Sequence, residues 1–170
     1  MSNIPESELL PITAGLNDDG GLTIGGCGVR ELVAEYGSPL YIYDEATLRG
    51  MCRDFVGSFK SEYENSHVAY SSKAFANPAI AKIIDEEGMN MDIVTGGELA
   101  VAMAADFPGS RINFHGNNKG REELAEAVRY GIGLITLDSF AEIELLNDVA
   151  SELGVKQKVL LRLSPSVDPH

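Results

Sequence analysis

From Pro39 onward the chain switches between two hydrophobic periods in regular succession. Short apolar runs predict strands at Leu40-Tyr41-Ile42-Tyr43, His67-Val68-Ala69-Tyr70, Met91-Asp92-Ile93-Val94, Arg111-Ile112-Asn113-Phe114, Leu134-Ile135-Thr136-Leu137 and Lys158 to Leu163. The stretches between them carry helical spacing. After Asp44, a candidate cap, Leu48, Met51, Cys52, Phe55, Val56, Phe59 and Tyr63 fall on one stripe. Asn77 and Pro78 predict the N-cap and first residue of a helix bearing Ile80, Ile83 and Ile84, which stops at Gly88. Further helices carry Leu99, Val101 and Ala102, then Leu124, Ala127 and Val128. A last one is opened by the S-x-x-E capping box of Ser139 and Glu142 and presents Ile143, Leu146, Val149 and Leu153.

The first thirty or so residues differ, being rich in Gly and Asp. Leu22-Thr23-Ile24 is a short strand candidate with no obvious hairpin partner nearby, and a short helix is expected from Val29 to Tyr36, ended by Gly37.

The polar sites that follow the strands, at Lys73, Asp92, His115, Asp138 and Ser164, recur at near-even spacing. Repeated βα units of this size build either an open doubly wound sheet or a (β/α)₈ barrel. No early strand is followed by G-x-G-x-x-G, and polar residues follow every strand rather than one switch point, which favours the barrel. A closed barrel usually takes roughly 200 residues or more. Counted from the strand before Lys73, about five of the eight units are present, which predicts the front portion of a longer protein with exposed sheet edges.

Composition narrows the classes of partner. The 170 residues are 44% hydrophobic and carry a formal net charge of -13, which disfavours nucleic acid and anionic membrane surfaces. No stretch has the length of a transmembrane span, and MSNIPESELL lacks the basic and apolar regions of a signal peptide. Cys27 and Cys52 show no CxxC or metal-ligand spacing, so two reduced thiols in a cytoplasmic protein, with no metal site, is the expectation.

Chemistry in parallel α/β proteins collects beyond the carboxyl ends of strands, and five candidate residues sit there. Lys73 is placed to be a surface charge, a phosphate ligand, or an amine able to form an imine. Asp92 either orients that amine or satisfies backbone donors at its strand end. Thr95-Gly96-Gly97-Glu98 is either an anion-binding turn or an ordinary helix start in which Glu98 complements the helix dipole. His115 opens the polar run His115-Gly116-Asn117-Asn118-Lys119. Arg162 lies in the apolar run Val159 to Leu163, where a buried arginine would need an anionic partner.

Together, Tyr70-Ser71-Ser72-Lys73-Ala74-Phe75, Met91 to Leu99 and Phe114-His115-Gly116-Asn117-Asn118-Lys119 resemble the N-terminal part of the diaminopimelate decarboxylases, in the alanine-racemase-like, fold-type III class of pyridoxal-phosphate enzymes. The resemblance runs from about Gly25 to His170; Ser71 departs from it, standing where the wider decarboxylase pattern has Ala or Pro. It implies an α/β fold, a partial (β/α)₈ TIM-type barrel over residues 36–170, with residues 1–35 joining a C-terminal β domain. It implies that Lys73 is the lysine linked to pyridoxal 5'-phosphate through an imine. Asp92, Glu98 and His115 would lie at the cofactor, and Arg162 near its phenolic oxygen. Ser164 to His170 resembles the entry to a mobile loop.

The implied reaction is decarboxylation of meso-2,6-diaminopimelate to L-lysine by a homodimer, with this N-terminal part unable to catalyse alone. The histidine that stacks on the ring, the glycine-rich phosphate loop and the catalytic acid would lie beyond His170. Ornithine, arginine or carboxynorspermidine as substrate keeps the fold and changes the pocket. A non-catalytic α/β domain in which Lys73 contacts an anion is the alternative of another class.

Overall fold

The computed structural model describes residues 9–163. They fall into two compact units, one up to Ser58 and one from Phe59. The Ser164 to His170 segment lies outside the described residues.

The first unit contains a three-stranded antiparallel sheet, β1 (Gly15–Leu16), β2 (Leu22–Ile24) and β3 (Cys27–Gly28). Leu22–Ile24 therefore has partners on both sides, contrary to the expectation. They escape sequence inspection because each is two residues long, too short to show a period. Gly25 and Gly26, at φ 59° and 79°, form the two-residue turn between β2 and β3; positive φ at both central positions is what such a hairpin needs. Helix α1 (Val29–Tyr36) follows as predicted. Leu40–Tyr43 forms no strand. Its local pattern suits a pleat, but a strand exists only within a ladder, and none forms there; Tyr41 is 87% exposed. Helix α2 (Glu45–Glu62) begins where the Asp44 carboxylate accepts from Thr47 N at 2.9 Å. Of its predicted apolar stripe only Cys52 is buried, while Met51, Phe55, Phe59 and Tyr63 stay exposed.

The second unit is an α/β layer built on a five-stranded parallel sheet. Its strands are β4 (Ala69–Ser71), β5 (Asn90–Ile93), β6 (Ile112–Phe114), β7 (Leu134–Leu137) and β8 (Val159–Leu161), in sequential order. Between them run α3 (Pro78–Glu86), α4 (Gly96–Ala104), α5 (Arg121–Tyr130) and α6 (Phe140–Glu152). Sequential parallel order with one helix per crossover is the arrangement of a (β/α)₈ barrel wall. The register sets Ser71, Asp92, Asn113 and Leu134 side by side in one row across β4 to β7. The neighbouring positions Met91, Ile93, Ile112, Phe114 and Ile135 are fully buried, with Ile84, Leu99, Leu124, Ala127 and Leu146 supplying the helix side of the core. One face of the sheet is thus an apolar core and the other carries polar side chains.

The edge strands are less regular than the pattern predicts. The strand expected at His67–Tyr70 starts at Ala69 and is only half-buried. The one expected to run to Leu163 stops at Leu161, and all of its residues are exposed. An edge strand has one ladder neighbour and little covering its faces. The capping box expected at α6 forms by half. Ser139 Oγ accepts from Glu142 N at 3.3 Å, but the Glu142 carboxylate takes the Asp138 amide, at 2.7 Å, instead of the Ser139 amide.

Candidate functional site

The carboxyl ends of β4 to β8 gather the candidate side chains in two groups. Lys73 stands on a single 3₁₀ turn, Ser72–Ala74, directly after β4. That turn is held by two side chains that motif reading did not single out. Ser72, fully buried, donates from Oγ to the Asp92 carbonyl at 2.8 Å, and Tyr70 OH donates to the Phe75 carbonyl at 2.8 Å. The lysine itself is exposed, and among the described residues its amine makes no hydrogen bond or ion pair. A free amine on a braced turn is well suited to meeting an incoming ligand.

Asp92 and His115 complete the first group. Asp92 lies in register with Ser71, and its carboxylate is 3.6 Å from His115 Nδ1. His115 is carried past the end of β6 by its amide, which donates to the Ile93 carbonyl at 2.7 Å. Gly116, next along, has φ 94°, and a Cβ there would stand 2.7 Å from the Val94 carbonyl oxygen. That close approach of backbone to backbone is why glycine follows the histidine.

Burial raises the Asp92 carboxyl above its ordinary value of 3.8. The charges of His115 and Lys73 pull it back, and Glu98 adds to the rise. The folded chain therefore binds this proton more tightly than the unfolded chain does. The stability this group contributes is complete below about pH 3.8 and is lost as pH rises through the raised folded value. At neutral pH the ionised carboxylate is a net cost. Asp92→Asn is expected to stabilise the protein by about 0.5–2 kcal/mol at neutral pH, with the gain closing in acid. Thermal melts at neutral pH and below about pH 4 check this; a variant no more stable than the parent at neutral pH would contradict it.

Glu98 is occupied within its own turn. Its Oε2 accepts from Val94 N at 2.6 Å and Thr95 N at 2.9 Å, while Thr95 Oγ1 accepts from Glu98 N at 3.3 Å. This reciprocal capping box fixes the start of α4 beside Asp92. The Gly96 amide at the head of α4 is taken by Glu123 of α5, at 2.7 Å, and Glu123 also caps Gly120 at 2.8 Å. With the Gly96 amide taken by a carboxylate and the Glu98 amide by the Thr95 hydroxyl, the Thr95–Glu98 turn is organised by its own side chains and by Glu123.

Arg162 belongs to the second group. It lies one residue beyond β8, 56% exposed, and pairs with Asp138 Oδ1 at 2.9 Å. The anionic partner expected for this arginine is thus the carboxylate one residue past β7, but the arginine is exposed and not buried as expected. Lys73 and Arg162 follow the two outermost strands, four ladder spacings apart, roughly 19 Å measured along the sheet. The described residues bring Lys73, Asp92 and His115 together, with Glu98 bracing them, and leave Arg162 at the opposite edge of the sheet.

Between the two groups lies a buried pair that the sequence analysis did not identify as part of a site. Lys119 and Glu142 meet at 2.7 Å, with side chains 0% and 7% exposed. The spacing of Glu142 from Ser139 suggests a cap alone, and Lys119 closes a polar run that suggests a surface loop. Only tertiary contact distinguishes these.

Other features bound the chemistry. No helix among the described residues is long and apolar enough to cross a membrane. Among the same residues no group of three or more His, Cys, Asp or Glu is placed to hold a metal ion. Both cysteines are free thiols, Cys27 exposed and Cys52 buried.

Comparison with known proteins agrees with this architecture. Residues 50–170 match the family described as pyridoxal-dependent decarboxylase, pyridoxal binding domain. Diaminopimelate decarboxylase of Bacillus subtilis is 47% identical over 158 residues, which cover 93% of this chain and 36% of the relative. The enzyme of the same name from Bacillus methanolicus is 44% identical over 158 residues, 93% of this chain and 37% of the relative. The crystal structure of diaminopimelate decarboxylase from M. jannaschii in complex with L-lysine superposes with a TM-score of 0.85 at 34% identity, covering 93% of this chain and 37% of that one. The chain thus spans a little over a third of the length of these relatives. With the model match extending over most of its residues, the chain belongs to the pyridoxal-dependent decarboxylase family, as a pyridoxal binding domain.

Proposed function

We propose that this chain supplies the cofactor-anchoring part of a pyridoxal-phosphate-dependent decarboxylase that converts meso-2,6-diaminopimelate to L-lysine and carbon dioxide. The observation that carries the proposal is the free amine of Lys73 on a braced turn beside the Asp92–His115 pair. The residues present fit pyridoxal phosphate: an aldehyde calls for an accessible amine, and Lys73 offers one that makes no hydrogen bond or ion pair among the described residues. When bound, the cofactor supplies an electron sink for the pair left behind as carbon dioxide departs.

Each residue then has a part in holding it. Lys73 would hold the cofactor covalently through its amine. Asp92 and His115 line the adjoining wall, 3.6 Å apart, and place a carboxyl and an imidazole side by side. Glu98 holds the turn that backs them. Arg162, kept in place by Asp138, would supply a cation for the cofactor's phenolic oxygen. The choice of diaminopimelate over ornithine, arginine or carboxynorspermidine is supported by the relatives of 44–47% identity that bear that name. In the same proposal residues 1–35 associate with a separate β domain, the active form is a cytoplasmic homodimer, and the acid that completes the reaction is not among these 170 residues.

Reduction with borohydride in the presence of pyridoxal 5'-phosphate, followed by peptide mass spectrometry, tests the anchoring. A pyridoxyl adduct concentrated on Lys73 and absent from Lys73→Ala is expected. An adduct shared evenly with Lys60, Lys82, Lys156 and Lys158, or none at all, would remove the enzyme proposal. Carbon dioxide release from the four amino acids, compared in one assay of the complete enzyme, tests the substrate.

A further inference from the structure

The fully buried Lys119 sits where the two groups of the candidate site are joined. Its ammonium donates to the Gly116 carbonyl and to the Thr136 carbonyl at 2.9 Å, and forms an ion pair with Glu142 Oε1 at 2.7 Å. The charge also lies 5.7 Å from the centre of the Phe114 ring. Glu142 in turn accepts the Asp138 amide on Oε2 at 2.7 Å, and Asp138 holds Arg162. A continuous path of polar contacts therefore runs from Gly116, beside His115, through Lys119, Glu142 and Asp138, to Arg162.

We infer that Lys119 and Glu142 are positioning residues that set the separation between the Asp92–His115 pair and the Asp138–Arg162 pair. The alternative is that the pair serves the stability of the fold and nothing more. Two features argue for positioning. A buried ion pair is a costly way to stabilise a core, since burying apolar groups of the same volume is often as good or better. In addition, each of its contacts falls on a residue adjoining the site. Gly116 follows His115, Thr136 is the next-to-last residue of β7, and Asp138 carries Arg162. None of them supports the far end of the barrel wall. The inference depends on the proposed function for what the separation is for, and on the geometry alone for its existence.

The double substitution K119M/E142Q removes both charges and keeps an acceptor for the Asp138 amide, so the variant retains a route to a folded state. Amide hydrogen exchange of the full chain, read residue by residue, is the test. Faster exchange, by about tenfold or more, is expected at His115 and at Arg162, whose amides bond to the Ile93 and Leu137 carbonyls. Met91 and Ile93, within β5, should keep the parent rate. Uniform acceleration at all four would show a stability role only. Unchanged rates at His115 and Arg162, or a change at one of them alone, would equally overturn the coupling.

Because the measurement needs no cofactor, it stands whether or not Lys73 takes up pyridoxal phosphate. Failure of the Lys73 adduct in the parent chain would instead strike the proposed function and leave this coupling intact. In the complete enzyme the same variant should bind pyridoxal phosphate at least fivefold more weakly, and adding R162M should weaken it further by a smaller factor than R162M does in the parent. Factors that simply multiply would mean that positions 119 and 162 act independently and would overturn the inference.

Discussion

Lys119→Met is expected to cost the sheet-bearing unit about 3–5 kcal/mol of folding stability. The substitution fills much of the same volume, so the loss arises from charge rather than from a cavity. Lys119 is the only cation in contact with the Glu142 carboxylate among the described residues, and both side chains are shut off from water. Removing the ammonium leaves a buried carboxylate with only the Asp138 amide as partner, and leaves the Gly116 and Thr136 carbonyls short of a donor. Urea unfolding of parent and variant, compared at equal slope, measures the loss. The K119M/E142Q variant should recover the greater part of it, since no uncompensated charge then remains. A single variant as stable as the parent would show that water reaches the pair or that Glu142 finds another cation.

Gly116→Ala should cost about 3 kcal/mol, combining the strain of a non-glycine residue at positive φ with a backbone overlap. The added Cβ would stand 2.7 Å from the Val94 carbonyl oxygen, which cannot retreat freely. Val94 lies one residue past β5, and its amide is pinned by Glu98 at 2.6 Å. The relief available is for the His115–Gly116 segment to lift away from β5, and that movement lengthens the 3.6 Å contact between His115 and Asp92. Thermal unfolding reads the first effect. The second appears as a changed pH titration of Asp92, followed by NMR of its carboxyl carbon. A variant with the parent's stability and the parent's titration would contradict the close approach.

These two positions differ in how much of their role the chain itself reveals. Gly116 stands in a run of His, Gly, Asn and Lys after a strand, a pattern that announces a turn and its candidate chemistry. Lys119 is in the same run, and nothing local distinguishes a buried lysine from an exposed one. Its burial depends on the Thr136 carbonyl and on Glu142, which are brought to it by the β6–β7 crossover and the start of α6. The same holds for Glu98. Its place at a helix start predicts an acid that complements the helix dipole, and the structure uses it there in a capping box with Thr95, while its place at the cofactor is what the family resemblance implies.

The local rules that succeeded were those written in backbone chemistry. Asn77 accepts from Ile80 N at 2.8 Å with Pro78 in the first turn of α3, and Val29–Tyr36 is a helix to the residue. Apolar alternation located the central strands β5, β6 and β7 within a residue of their observed bounds, because each is buried on its helix side and laddered on both edges. Where a ladder neighbour is lacking, the pattern overreached: Leu40–Tyr43 forms no strand, and β4 and β8 are shorter than their apolar runs. Conversely, β1 and β3 are strands by pairing alone, two residues each.

By itself, then, the sequence determined the order of βα units, the ends of the helices and the presence of one reactive-type side chain after each strand, since these follow from period, capping and turn chemistry. The tertiary structure decided which of those side chains meet. Register placed Asp92 beside the turn that carries Lys73, and the crossover of β6 brought His115 to it. Pairing with Asp138 kept Arg162 at the opposite edge. The burial of Lys119 and Glu142 was decided in the same way, because the environment of a charge is made by residues distant in the chain and is not written in its neighbours.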